Sequence, residues 1–475
     1  MKFVDRQAEM GRLDGLAAKR RGGLGVVWGR RRVGKSRLLL EWCRKHRGLY
    51  TVADRSSASI QRGYFARAAA EAIRGFDGVV YPDWRTLLGR LAAEARACGW
   101  RGPLVLDELP YWVETSPELP SVLQHWVDND AAEAGLTVVV AGSAQAMMQG
   151  LVLDASAPLF GRAAELIEMK PLAAGHLPDA LGVADPVEAV RAYSVWGGIP
   201  RYWELAADVR GGLDEAVDRL VLDPMGPLHL EPDRLLMEEL PPAVTIRPLL
   251  DAIGFGAHRL TEIAGRIGQP ATSLGRALAR LQGMGLIERQ LPYGESEKSS
   301  KRACYRIHDP FFRFWFKTVA PHRALLAAAR PSSRRALWHR LCGALVAETW
   351  EDLCRQCVPR LDVAGSAAGR GGCAPWSVAG RYWHGNGPEW DVVARSVDGA
   401  RLLVGEVKWG GGDPEGAVRA ATRDLAGKGV PPISGLDPRG VDIVRVVFMA
   451  GAPPRAAIPA GTHVVDARQV LAALR

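Results

Sequence analysis

No run of 18 apolar residues occurs anywhere in the 475-residue sequence, so no segment has the length and apolarity of a membrane-spanning helix. The opening MKFVDRQAEM is polar and of mixed charge, unlike a secretory signal with its apolar stretch. Cysteine is sparse. The seven are odd in number and scattered, which argues against a disulfide framework and for the reducing cytoplasm. Lysine is scarce as well, supplying only ten of the 61 basic residues. Against 52 acidic residues the net charge is +9, and the sequence pI is 9.3. That balance favours a polyanionic partner, nucleic acid first. The excess of arginine, alanine and glycine is also what a GC-rich coding sequence produces, so charge alone does not decide the partner. What remains is ordinary for a globular chain: 48% apolar and 24% charged residues. The length divides into about three domains rather than one core.

The most specific signal lies near the start. LGVVW (24–28) is a short apolar run of strand type, and Gly29-Arg30-Arg31-Arg32-Val33-Gly34-Lys35-Ser36 follows it. Arg37 then opens the helix-like RLLLEWCRK. This is GxxxxGK[ST] between a strand and a helix, a phosphate-binding loop. Its glycines let backbone N–H groups turn onto phosphate oxygens, and the helix N-terminus adds its positive dipole. Lys35 is expected at the β- and γ-phosphates and Ser36 on Mg²⁺. A second apolar strand, Leu104-Val105-Leu106, runs into Asp107-Glu108. Asp107 is positioned to hold Mg²⁺ through water, and Glu108 to polarise the water that attacks the γ-phosphate. A third strand in LTVVVAGSAQAMM ends at Ser143, which either senses the γ-phosphate or caps the helix that follows.

These motifs, with Phe3-Val4-Asp5-Arg6 at the start, Leu109-Pro110-Tyr111 after the acidic pair, PLFGRAAELIEMKPL (158–172) and GGIPRYW (197–203), resemble the archaeal-type ATPase family of the AAA+/STAND branch of P-loop proteins. Met10 departs from the leucine usual in that family's first box. The resemblance implies ATP and Mg²⁺ as cofactors, Arg162 as a γ-phosphate or finger arginine, and Arg6 beside the adenine. It also leaves open oligomerisation through the ATPase domain.

Residues 245–316 read as helix, helix, turn, helix and two strands, the order of a winged helix-turn-helix. The helix starting near Ser273 turns Leu274, Leu278 and Leu281 inward and Arg276 and Arg280 outward. Lys298, Lys301 and Arg302 fall on the wing, where cations can meet phosphates. Such modules also serve as interdomain packing pieces, and both readings stand. The cluster Phe311, Phe312, Phe314, Trp315 and Phe316 reads as core rather than a base-stacking platform.

Beyond residue 336 the order is helix, irregular glycine-rich segment, strand, strand, helix, strand, which resembles the restriction-endonuclease-like fold. Glu406 and Lys408 lie two apart on a strand and share a face. Asp391, across a hairpin turned at SVDGAR, can reach the same point. Mg²⁺ would relieve the repulsion of two such carboxylates, and a lysine there would orient the attacking water or stabilise developing charge. By the resemblance, Glu351 of an early Trp-Glu pair completes the ligand set. Cys354, Cys357, Cys373 and His384 have the faint look of a zinc site, but two lie on one helix and the other spacings are loose.

The expected architecture is α/β: a P-loop AAA+-like ATPase domain (1–205), a helical region with a winged helix-turn-helix (206–320), a linker (321–335) and a nuclease-like α/β domain (336–475). Two functions fit it. In one, ATP hydrolysis is coupled to a DNA-binding, Mg²⁺-dependent nuclease. In the other, a nucleotide-operated switch binds DNA or a protein without cutting.

Overall fold

The computed structural model describes residues 3–143, 148–155, 157–239, 246–298, 302–361, 375–385, 387–410, 413–453, 458 and 461–475. Two compact units emerge. One is Val4–Pro171 with Ile199–Arg201; the other is Leu172–Gly198 with Tyr202–Arg475. No helix among the described residues is long and apolar enough to cross a membrane.

The first unit is built on five strands: β1 (Gly23–Trp28), β2 (Leu49–Val52), β3 (Leu104–Asp107), β4 (Thr137–Gly142) and β5 (Ala163–Glu168). They pair in the order β2-β3-β4-β1-β5, every neighbour parallel. Side chains alternate across the sheet, as a period of two requires. Leu24, Val26, Leu104, Leu106, Val138 and Val140 pack on one face, with Phe65, Trp84 and Trp112. Val27, Val105, Val139 and Ala141 pack on the other, with Leu13, Leu16, Leu38 and Trp42 from the helices Gln7–Ala17 and Lys35–His46. All six residues of β4 are buried, the near-continuous apolar run of a central parallel strand. In a parallel sheet covered on both faces, polar groups gather at the carboxyl ends of the strands. The phosphate loop follows β1 and the acidic pair closes β3.

The second unit contains the helices Arg247–Gly254, Leu260–Ile267 and Gly275–Gly283, then an antiparallel ribbon of β6 (Ile287–Gln290) and β7 (Cys304–Ile307). Leu274, Leu278 and Leu281 are buried while Arg276 and Arg280 are exposed. Lys301 lies outside the described residues. Asp309 caps the next helix by accepting from the Phe312 N–H at 2.8 Å. Phe311, Phe312, Phe314, Trp315 and Phe316 are fully buried, and the Trp315 indole donates to the His229 carbonyl at 2.7 Å. They are core.

The helix Pro331–Cys357 leads to a mixed sheet of β8 (Gly380–Tyr382), β9 (Trp390–Arg395), β10 (Arg401–Lys408), β11 (Asp442–Met449) and β12 (Thr462–Asp466). The order is β12-β11-β10-β9-β8, parallel across β10–β11–β12 and antiparallel across β8–β9–β10. Val418, Ala421 and Leu425 of the helix Pro414–Lys428 bury one face against Leu402, Val404 and Val447.

The unit division differs from the expected boundaries. Residues 172–198 belong to the second unit, and the helix Pro331–Cys357 runs through the expected break at 335. Arg334, expected in a linker, is 7% exposed and donates to Asp218 at 2.6 Å and to Asp223 at 2.9 Å. Two carboxylates distant in sequence make burial of that guanidinium tolerable, a pairing with no local trace.

Candidate functional site

The phosphate loop leaves β1 at Gly29, whose φ is 148° and where a Cβ would lie 2.4 Å from the Met169 carbonyl oxygen. Only glycine fits. Gly34, at φ 100°, begins the helix Lys35–His46, which has no acidic residue in its first turn. The N–H groups of that first turn make up the positive end of the helix dipole. Lys35 folds back over the loop, donating from Nζ to the carbonyls of Gly29 at 2.8 Å and Arg30 at 3.1 Å. Ser36 Oγ donates to Asp107 Oδ2 at 2.7 Å, joining loop to acidic strand. The Tyr50 hydroxyl, from β2, donates to the same oxygen at 2.6 Å. Burial and the neighbouring Asp107 push the Tyr50 phenol far above its usual range. Asp107 is fully buried, and its Oδ1 accepts from the Glu108 N–H at 2.8 Å.

Glu108 adopts φ 53° and Arg6 and Arg32 adopt 71° and 66°, backbone settings that cost on the order of 1–3 kcal/mol each and gather at functional sites. Ser143 donates to Glu108 through Oγ at 2.6 Å and through its N–H at 3.3 Å, so its hydroxyl holds the acid. Residues 144–147, in the helix that Ser143 was expected to cap, are outside the described set. Arg6, 5% exposed, donates to the carbonyls of Val33 at 2.9 Å and Lys170 at 2.7 Å and pairs with Glu9 at 3.0 Å. Its guanidinium braces the loop from main-chain contacts, a different role from the adenine contact the resemblance implies. Arg30 and Val33 are buried and Arg32 is exposed. Arg31 donates to the Tyr111 hydroxyl at 2.7 Å. Arg37 pairs with Glu41 one turn along at 3.0 Å. Arg162 is engaged by both oxygens of Asp128, at 3.1 and 2.8 Å, and by the carbonyl of Pro158. A γ-phosphate role for it requires that pair to open.

The second unit holds the other acidic constellation. One step beyond the Val392–Gly405 pair of β9 and β10, Asp391 comes opposite Glu406. Asp391 Oδ2 accepts from the Val407 N–H at 2.9 Å. Burial, then the Glu406 charge, push its carboxyl up to about 6. Glu406, 5% exposed, accepts from Lys408 at 2.9 Å on one oxygen and from Lys428 at 2.7 Å on the other. Glu351 pairs with Arg355 at 3.5 Å. Trp350 beside it donates to the Lys408 carbonyl at 3.1 Å, and Arg355 donates to the Asp391 carbonyl at 3.0 Å. The helix is thereby tied to both strand ends.

Among the described residues no three His, Cys, Asp or Glu side chains form a metal cluster. The expected ligand set Glu351, Asp391 and Glu406 is therefore not gathered: cations neutralise Glu406 and Glu351 instead. Lys428 had no signal in the sequence, because it arrives from the far end of the next helix. Cys354 and Cys357 are buried thiols pushed up by burial, and Cys373 lies outside the described residues.

A family model described as an ATPase domain predominantly from Archaea matches residues 3–205. The chain carries an archaeal-type P-loop ATPase domain. A second model, of archaeal and bacterial proteins of unknown function, matches residues 315–417. An uncharacterized protein of Methanocaldococcus jannaschii is 27% identical over 409 residues, 86% of this chain and 87% of its own length. Among solved structures, the Walker-type ATPase of Pyrococcus abyssi is 19% identical with a TM-score of 0.53, over 66% of this chain and 96% of that one. A weaker likeness, TM-score 0.37 at 13% identity over 69% of this chain and 97% of that one, is to an ORC2 protein of Aeropyrum pernix.

The donor set of the ATPase domain suits a hard cation. Ser36 Oγ and Asp107 Oδ2 are oxygen ligands already within 2.7 Å of each other, beside a loop built for phosphates, which is how Mg²⁺ is usually held.

Proposed function

We propose that the ATPase domain binds and hydrolyses ATP with Mg²⁺ and that its nucleotide state governs a DNA-binding second unit. The observation that carries the reading is the junction of loop and acidic strand: Ser36 donates to Asp107 at 2.7 Å while the next residue, Glu108, is held by Ser143 at 2.6 Å. Loop N–H groups and the start of the helix Lys35–His46 bind the β- and γ-phosphates. Lys35 exchanges the carbonyls of Gly29 and Arg30 for phosphate oxygens. Ser36 and Asp107 hold Mg²⁺, which when bound supplies charge neutralisation across those oxygens. Glu108, released from Ser143, orients the attacking water and accepts its proton. Gly29–Arg37 thus form the nucleotide cradle, with Arg6 as its brace.

For the second unit, the helix Gly275–Gly283 and the ribbon β6–β7 read as a winged helix, with Arg276 and Arg280 toward DNA. The mixed sheet with Asp391, Glu406 and Lys408 reads as a nuclease-like fold. Cutting would require the cations on Glu406 and Glu351 to give way, so that Asp391, Glu406 and Glu351 could close on Mg²⁺ while Lys408 stabilised charge at the phosphodiester. The lysine clamp on Glu406 favours a second reading, a non-cutting module operated by the nucleotide state.

The test uses purified full-length protein. Lys35→Ala is expected to abolish nucleotide binding in equilibrium titration. Glu108→Gln is expected to keep binding and lower ATP turnover at least about a hundredfold. Plasmid and single-stranded DNA incubated with Mg²⁺ or Mn²⁺, with and without ATP, decide the second unit. Intact DNA from both wild type and Asp391→Ala leaves the non-cutting switch.

A further inference from the structure

Hydrolysis of a γ-phosphate loads negative charge onto its oxygens, and a second cation beyond the loop lysine is worth orders of magnitude in rate. The loop itself offers three arginines in differing settings. Arg30 is 6% exposed, Arg32 is exposed, and Arg31 is half-buried. Its Nη2 donates to the Tyr111 hydroxyl at 2.7 Å.

Tyr111 is the third residue after Glu108, and its N–H donates to the Glu108 carbonyl at 2.9 Å. The guanidinium of Arg55 lies over the Tyr111 ring, 5.5 Å from its centroid. Gln61, 1% exposed, donates from one nitrogen to the Tyr111 carbonyl at 3.5 Å, to Thr115 Oγ1 at 2.8 Å and to the Ser56 carbonyl at 2.9 Å. Ring face, hydroxyl and backbone of Tyr111 are all held. An anchored phenol therefore ties the Arg31 guanidinium, two residues along the phosphate loop from Gly29, to the helix Leu109–Thr115 that follows Glu108.

We propose that Arg31 is the γ-phosphate arginine of this domain, supplied in cis from the phosphate loop, and that Tyr111 is its positioning residue. The proposal rests on the ATP-hydrolysing reading above. In the step it serves, the water oxygen bonds to the γ-phosphorus and a water proton passes to Glu108. The bond from that phosphorus to the bridging oxygen breaks, its electron pair leaving on the β-phosphate of ADP. Arg31 exchanges no atom; it hydrogen-bonds the γ-oxygens over which the transition-state charge is spread. Its hydrogen bond to Tyr111 keeps the guanidinium from sweeping solvent before nucleotide arrives.

Steady-state ATP turnover by the full chain tests this, with thermal melts to confirm folding. Arg31→Ala is expected to lower kcat about a hundredfold or more, with KM and ADP affinity moved by less than about threefold. Arg31→Lys should recover about a tenth of the wild-type rate, since an ammonium restores charge without the planar fork. Tyr111→Phe should lower kcat several-fold and leave ADP binding unchanged. Specific activity should stay constant on dilution, as a cis residue requires. An unchanged kcat in Arg31→Ala, or a raised KM alone, overturns the assignment while leaving ATP hydrolysis intact. So does a greater loss in Arg162→Ala than in Arg31→Ala. A wild type that binds ATP and turns none over sinks the hydrolysing reading and this assignment together.

Discussion

Gly29 shows how narrowly single residues constrain the ATPase domain. A Cβ there would lie 2.4 Å from the Met169 carbonyl oxygen, at a φ of 148°. Gly29→Ala must therefore shift either the loop or the end of β5. We expect it to destabilise the first unit by about 2 kcal/mol and to weaken ATP-analogue binding at least tenfold, read by thermal melt and by titration of a fluorescent nucleotide. An unchanged melt with full binding would show that the loop absorbs the methyl. The loop was legible because phosphate binding requires those residue types at that spacing, and Asp107 and Glu108 because an acidic pair stands out at the end of an apolar strand. Tyr50 was not legible. It sits on a strand with nothing local to mark it, and only the β2–β3 pairing brings its hydroxyl to 2.6 Å from Asp107. Lys428 escaped for the same reason, as did the pinning of Ser143 to Glu108.

At the scale of elements, a buried ionic chain ties the end of the ribbon to the mixed sheet. Arg313, 2% exposed, donates to the Ile307 carbonyl at 3.0 Å and to Asp352 at 2.5 Å. Asp352 accepts from Arg355 at 2.6 Å, and Arg355 reaches the Asp391 carbonyl at 3.0 Å. Burial alone would raise the Asp352 carboxyl, but Arg313 and Arg355 outweigh it and hold it well below the usual range. Glu348, lowered by Lys317 and Arg313 against its own burial, behaves alike. A carboxylate whose folded pKa is depressed contributes stability that is complete above its unfolded pKa and is lost as pH falls through the folded value. The second unit should hold its melting temperature at neutral pH and lose it progressively below about pH 4. Asp352→Asn should cost about 3 kcal/mol at pH 7, since it leaves two buried guanidinium groups short of a partner, and should flatten that acid limb. Melts from pH 3 to 7 check both; an equal acid slope in wild type and variant would place the titration elsewhere. The helices and strands of this unit follow the expected order, because apolar periodicity marks them. The extra strands β8 and β12, three and five residues long, form the two edges of the mixed sheet.

For the whole molecule, the +9 charge is informative only where it is placed. Arg313, Arg334 and Arg355 are buried in ion pairs; each such pair is neutral, so the surplus of +9 is carried by other residues. The linker expected at 321–335 is helical from Pro331, and Arg334 within it is paired inside the unit. Arg276 and Arg280 are different. They stand exposed on the helix Gly275–Gly283, whose Leu278 and Leu281 are buried. If that helix enters DNA, each arginine neutralises about one phosphate, and the affinity falls with salt in proportion to the number neutralised. Fluorescence anisotropy with a duplex of arbitrary sequence, from 50 to 200 mM salt, should show Arg276→Ala and Arg280→Ala weakening binding alike for all sequences. Each should reduce the slope of log affinity against log salt by about 1. A slope unchanged in the double variant would move the DNA contact off this helix and leave it as a packing module. Performed with ATP, with ADP and without nucleotide, the same titration asks whether the two units are coupled: affinity for DNA that differs between ATP and ADP must, by linkage, return as a DNA-dependent change in nucleotide affinity of equal size.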